Sequence, residues 1–193
     1  MPRKVDHQER RTLIADALMR VAAERGLEAV SLRHVAAEAG VSAGMVQHYF
    51  ATKDEMMAFA MAVVRDRSRI RVAEAIARLG AAPPPPRLLM RAFITAVLPL
   101  DEQSGDDARV ALAFLAYAAV HPAAGLREDT AELLSFFAGL LPTTPDAGTA
   151  AGGLLALMEG LGLYLISGQY SAGQALAVLD AHLDRLFPAT SAR

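Results

Sequence analysis

An all-α fold is predicted for this 193-residue chain by three features. Every apolar periodicity follows the helical repeat, no run of β-branched residues alternates with polar ones, and caps and breakers recur at helix-length intervals. A hydrophobic content of 53% allows one or two compact domains with a sizeable core and excludes a disordered chain.

About nine helices follow in order. Residues 6–25 place Leu13, Ile14, Ala17, Leu18 and Val21 on one face, and Gly26 stops the helix. Ser31 opens a short second helix that Gly40 closes, and Ser42 opens a third ending near Phe50. Thr52 and Glu55 form a capping box at the head of a long fourth helix running to about Gly80. The stretch "AAPPPPR", 81–87, reads as a stiff extended connector. Helices near 87–98, 106–120, 124–141 and 147–167 come next, separated by loops such as "DEQSGDD" and "PTTPDAG". Ser171 and Gln174 cap the last helix, which ends before Pro188.

The chain contains no cysteine, which rules out disulfides, zinc-thiolate sites and a thiol nucleophile and fits a reducing compartment. The charged start "MPRKVDHQERR" lacks the apolar run of a secretory signal, so a cytoplasmic location is expected. Residues 147–166 approach the length of a bilayer span, but Glu159 and five glycines make a buried helix the expected reading, with no membrane partner. Residues 1–71 carry a net charge of +3 and residues 72–193 one of −5, so a polyanion is expected to meet the first third.

Two short helices joined by a glycine-containing turn match a helix-turn-helix. On a helical wheel, Val46, Phe50 and the ring of Tyr49 share an arc able to pack on Val35, Ala36 and Ala39. Ala43, Gly44, Gln47 and His48 face away, with Met45 at the margin. That outward arc is small at its start and polar in its middle. In a major groove Gln bonds an adenine edge bidentately, His reaches bases or phosphates, and Ala43 or Met45 touches a thymine methyl. Ser31, Ser42, Tyr49 and Lys53 flank the arc with donors suited to phosphate oxygens, although both serines are also ordinary N-caps. The run "RDRSRIR", 65–71, is expected to be a solvated or interdomain face, since Arg65 lies about 18 Å along the helix from Lys53.

The segment "SLRHVAAEAGVSAGMVQHYFATKDEMM" resembles the DNA-binding core of TetR/AcrR-type regulators. It carries the serine opening helix two, the Ala-Gly-Val-Ser turn at 39–42, and Tyr49, Phe50, Lys53 and Asp54 closing the recognition segment. The resemblance implies a helix-turn-helix DNA-binding domain over 1–53 and an effector-binding and dimerisation domain over 54–193. It further implies a homodimer on double-stranded operator DNA, acting as a repressor released by a small effector. Ser31, Tyr49 and Lys53 would be phosphate contacts; Ala43, Gly44, Met45, Gln47 and His48 would face the groove, helped by Arg33. Gln47 stands where many members have Tyr, and Met45 where Thr or Ala is common, so operator preference is expected to differ here. The tail "ALMEGLGLYLISGQYSAGQALAVLDAHLDRLF" resembles the last two helices of the BetI-like subgroup.

Leu154, Leu157, Leu161 and Leu165, then Leu176, Leu179 and Leu183, recur at helical spacing and are expected to form a two-fold four-helix interface, with core packing the plainer alternative. Met61, Met90, Phe93, Phe114, Tyr117, His121, Phe136 and Met158 are the candidate pocket lining, again with core as the alternative. Their character suggests a mostly apolar effector oriented by Tyr117 or His121. No cofactor, metal or catalytic residue is expected. The five histidines lack metal spacing, and no His-Glu-x-x-His, phosphate-binding glycine loop or Gly-x-Ser-x-Gly elbow occurs. An enzyme is therefore the weakest alternative, and a helical interaction module without DNA binding the stronger one.

Overall fold

The computed structural model describes residues 3–26, 29–80, 83–120, 126–142 and 146–188. Among them are nine helices and no strand: α1 (Arg3–Arg25), α2 (Leu32–Ala39), α3 (Ala43–Tyr49), α4 (Lys53–Ala77), α5 (Pro86–Val97), α6 (Glu102–Val120), α7 (Leu126–Leu140), α8 (Ala147–Ile166) and α9 (Ala172–Leu186). The chain forms two compact units, residues 1–68 with 105–121 and residues 69–104 with 122–193.

In the first unit, α1 contributes Ile14, Leu18 and Val21 to a core shared with Val35 and Ala36 of α2, Val46 of α3, and Phe50. Met56, Met57, Ala60 and Val64 of α4 and Val110 of α6 complete it. The boundary expected between residues 53 and 54 therefore falls inside a core, because the buried stripe of α4 begins at Met56. Arg67 is part of this unit and not a solvated charge. Its Nη2 donates to Asp16 Oδ1 at 2.7 Å and its Nη1 to Asp107 Oδ1 at 3.1 Å. The Asp107 side chain is only 3% exposed, so a carboxylate there requires such a partner.

The second unit packs Met90, Ile94 and Leu98 against Phe137 and Leu141, the α8 residues Ala151, Leu154, Leu155, Met158 and Leu161, and Ala175, Leu179 and Leu183 of α9. Two ion pairs join α5 to α9: Arg91 Nε donates to Asp180 Oδ1 at 2.6 Å, and Arg87 Nη2 to Asp184 Oδ1 at 2.6 Å. The Asp180 carboxyl is held below the ordinary carboxylate range, first by the hydrogen bond from Arg91, against partial desolvation, and then by the charges of Arg91 and Arg87. Ser171 and Gln174 make a reciprocal capping box at the start of α9.

Helix α1 begins at Arg3, three residues before its expected start, and the starts of α5 and α6 also differ from the sequence expectation. Helix α6 begins at Glu102, inside the stretch read as a loop, because Asp101 Oδ1 accepts from Ser104 N at 2.8 Å while Ser104 Oγ accepts from Asp101 N at 3.1 Å. Helix α5 begins within the proline run, with Pro86 in its first turn, where a missing N–H costs nothing. Helix α8 is long and apolar enough to cross a membrane, and one stripe of it is buried in the second core.

Candidate nucleic-acid interface

The turn between α2 and α3 is set by Gly40, whose φ of 67° lies in the left-handed region that a side chain disfavours. Its N–H and that of Val41 bond back to Ala37 O and Ala36 O at 3.3 and 3.0 Å, which closes α2. Ser42 Oγ then accepts from Met45 N at 3.1 Å and starts α3, while Ser31 Oγ accepts from His34 N at 3.2 Å and starts α2. A capping hydroxyl uses a lone pair for this bond and keeps its O–H as a donor. The exposed ring of His34 turns back along the chain: Nδ1 donates to Ala29 O at 2.7 Å.

Helix α3 is seven residues long and divides sharply. Val46 and the C-capping Phe50 are fully buried, and Tyr49 is half-buried. Ala43, Gly44, Met45, Gln47 and His48 are exposed together. Around this surface, Arg33 and Ser42 are exposed, and Ser31 and Lys53 half-buried. Such an isolated helix is far too short to persist in water, so its pose is imposed by the core beneath it.

Two residues of α1 also hold α3, and sequence reasoning missed both. The ring of His7 meets that of Tyr49 edge-on at 4.7 Å between centroids, and Arg11 lies over Phe50 at 4.8 Å. Their i, i+4 spacing was visible in the sequence, but the crossing of α1 with α3 was not.

The expected pocket residues are divided between the two units. Met61 and Phe114 pack against the first core, whereas Met90, Phe93 and Met158 belong to the second. Phe93 lies 5.2 Å from Phe136 and 5.5 Å from Phe137 between ring centroids, and Phe136 is exposed on one side. His121 lies outside the described residues, and of Tyr117 only the backbone is described.

Four of the seven leucines expected at an interface are core. Leu154, Leu161, Leu179 and Leu183 are buried within the chain itself, at 2% exposure or less, and Leu157, Leu165 and Leu176 are half-buried. All but Leu176 pack in the second core. The opposite face of α8 exposes Gly153, Ala156, Glu159, Leu163 and Tyr164, and α9 exposes Ala177, Val178 and Ala181. A Cβ added at Gly153 or Gly160 would meet no atom within 4 Å.

Residues 14–58 match the family model of bacterial regulatory proteins, tetR family, and residues 86–188 match that of the BetI-type transcriptional repressor C-terminal domain. The chain is 34% identical over 174 residues to the HTH-type transcriptional regulator PksA of Bacillus subtilis (strain 168), covering 85% of this chain and 82% of that protein. A transcriptional regulator from Rhodococcus sp. Rha1 superposes with a TM-score of 0.81 at 36% identity, over 92% of this chain and 95% of its own. At 21% identity, a regulator from Saccharomonospora viridis, solved in complex with choline, shares the fold with a TM-score of 0.72 over 95% of this chain and 97% of its own. The protein belongs to the TetR family of helix-turn-helix transcriptional regulators, with a DNA-binding N-terminal domain and a ligand-binding C-terminal one.

Proposed function

We propose that this protein is a cytoplasmic homodimeric repressor that leaves its operator when a small, mostly apolar effector binds. The observation that carries the DNA half is the exposed arc of α3, where Gln47 and His48 stand beside the small residues Ala43 and Gly44. Small residues let the helix enter the groove closely, and the two polar side chains then reach base edges. Ser31, Ser42, Tyr49 and Lys53 supply phosphate contacts from the rim, with Arg33 beside them; these fix register without reading sequence. Met45, 38% exposed, meets the groove wall or a thymine methyl.

Dimerisation presents two copies of α3 to half-sites roughly 34–36 Å apart. The small-residue outer face of α8 with Ala177, Val178 and Ala181 of α9 supports the pairing surface, in place of the buried leucines. For the effector, Phe93 with the exposed Phe136 supports recognition of an apolar body or a quaternary ammonium, whose charge is attracted by aromatic faces. Choline in the Saccharomonospora relative makes it a sensible first probe. Release requires that the ligand favour a state in which the two α3 helices are wrongly spaced; equal affinity for both states shifts nothing.

A footprint of the protein on the DNA upstream of its own gene, repeated with choline and with apolar amines, tests this reading. Saturable protection is expected, with log K falling linearly in log salt and protection lost with a cognate ligand. Uniform weak binding to any duplex would overturn it.

A further inference from the structure

We infer that Arg11 of α1, outside the helix-turn-helix, is a positioning residue for operator recognition: it sets the angle at which α3 meets DNA without touching DNA itself. This rests on the reading of the 43–48 arc as groove-facing.

The guanidinium sits against two neighbouring rings. Its central carbon lies 4.8 Å from the centroid of Phe50 and 4.7 Å from that of Phe59, and the rings are 5.4 Å apart. Phe50 is the C-cap of α3, and Phe59 sits in the second turn of α4. The edge of the same group reaches Glu55, with Nη2 3.5 Å from Oε1. Glu55 in turn holds the connecting turn, its Oε2 accepting from Ala51 N at 2.9 Å while its own N–H donates to Thr52 Oγ1 at 3.1 Å. One cation therefore joins α1 to the end of α3, the 51–52 turn and the start of α4.

The form of the contact argues for placement over charge pairing alone. Arg11 Nε is buried with no hydrogen-bond partner, so the group is seated by its contact with the two rings more fully than by acceptors. The Arg11 side chain is 26% exposed and is occupied by the two rings and by Glu55. One turn earlier on α1, His7 bears on Tyr49, so α1 grips two consecutive residues at the end of the recognition helix. Gln47 and His48 lie within three residues of that grip. A bidentate base contact tolerates only about 0.5 Å of displacement, so loosening the grip acts first on base discrimination.

The test uses the full-length chain and two variants, Arg11→Met, which keeps the stem, and Arg11→Lys, which keeps the charge but has no planar face. Binding to the upstream operator and to a random duplex of equal length is measured over a salt series, at a temperature where circular dichroism shows each variant folded. Arg11→Met is expected to lose about 10-fold in operator affinity and less than about 2-fold on the random duplex, with the salt slope unchanged. Arg11→Lys is expected to recover only part of the loss, and it carries the same comparison if Arg11→Met does not fold. Equal losses on both duplexes with a slope smaller by about one would make Arg11 a phosphate contact and overturn the proposal. Unchanged operator affinity in the folded variants would overturn it too, leaving Arg11 a purely stabilising residue. A wild-type chain without preference for its operator would instead bring down the groove-facing reading beneath it.

Discussion

Helices α3 and α8 each leave one face open, and the two faces are built from opposite materials. On α3 the open face holds Gln47 and His48 beside small residues, over a helix anchored by Val46, the ring of Tyr49 and the capping Phe50. On α8 the open face is Gly153, Ala156, Leu163 and Tyr164 around a single Glu159, over a helix that buries five residues of its own. The contrast teaches where the stability of each helix comes from. A seven-residue helix cannot hold itself, so the core of the first unit must hold it, and its outer side chains are free to carry recognition. The twenty-residue α8 is part of the core that holds its unit, and its outer face is smooth and apolar, suited to a second helix surface more than to a polyanion.

The sharpest way to break this contrast is within α8 itself. Leu161→Ala, on the core face, is expected to cost about 2–5 kcal/mol of stability, read by urea unfolding at a concentration where the chain is monomeric, whereas Leu163→Ala, two residues on, should stay within about 0.5 kcal/mol of the parent under the same conditions. Similar costs for both would erase the difference between the faces. Ala156→Arg places bulk and charge on the outer face. It is expected to shift the chain to monomer by light scattering and to lower operator affinity by about 100-fold or more, since the two recognition helices then bind separately.

Lys53→Ala addresses the rim of the α3 surface. It should weaken binding to all duplexes by a similar few-fold factor and reduce the salt slope by about one, the mark of a phosphate contact. The smallest effect is expected at Asp180, away from either open face. A carboxyl held below its ordinary range stabilises the fold above the unfolded-state pKa of about 4, and that contribution disappears as the pH falls through the folded-state value. Asp180→Asn should therefore lower the melting temperature by a few degrees at most at pH 7, with the gap to the parent closing towards pH 3, because the pair is partly solvated.

The same contrast explains how much was legible in the sequence. The faces of α3 could be told apart because polar and apolar residues alternate at helical spacing and Ser42 fixes the first turn. In α8 nearly every residue is apolar, so a wheel offers only the charge of Glu159 to mark the outside; Leu154 and Leu161 were expected at the interface, with core the alternative, and they are core. Glycines 153 and 160, together with Ala156, were the better clue to the outer face. The α6 start was hidden because Asp, Ser and Gly also compose loops, and only the reciprocal Asp101–Ser104 bonds distinguish a cap from a coil. Arg11 was the least legible, since its role depends on how α1 crosses α3 and α4, which no local pattern encodes.

The most direct measurement compares Gln47→Ala with His48→Ala in one chain against the parent, titrating operator and random duplexes at several salt concentrations, with circular dichroism to establish folding. The account predicts that the folded double variant loses about 10- to 1,000-fold of its operator preference while its affinity for random duplex changes little. A folded double variant that kept full operator preference would contradict the assignment of the open face of α3 to the groove.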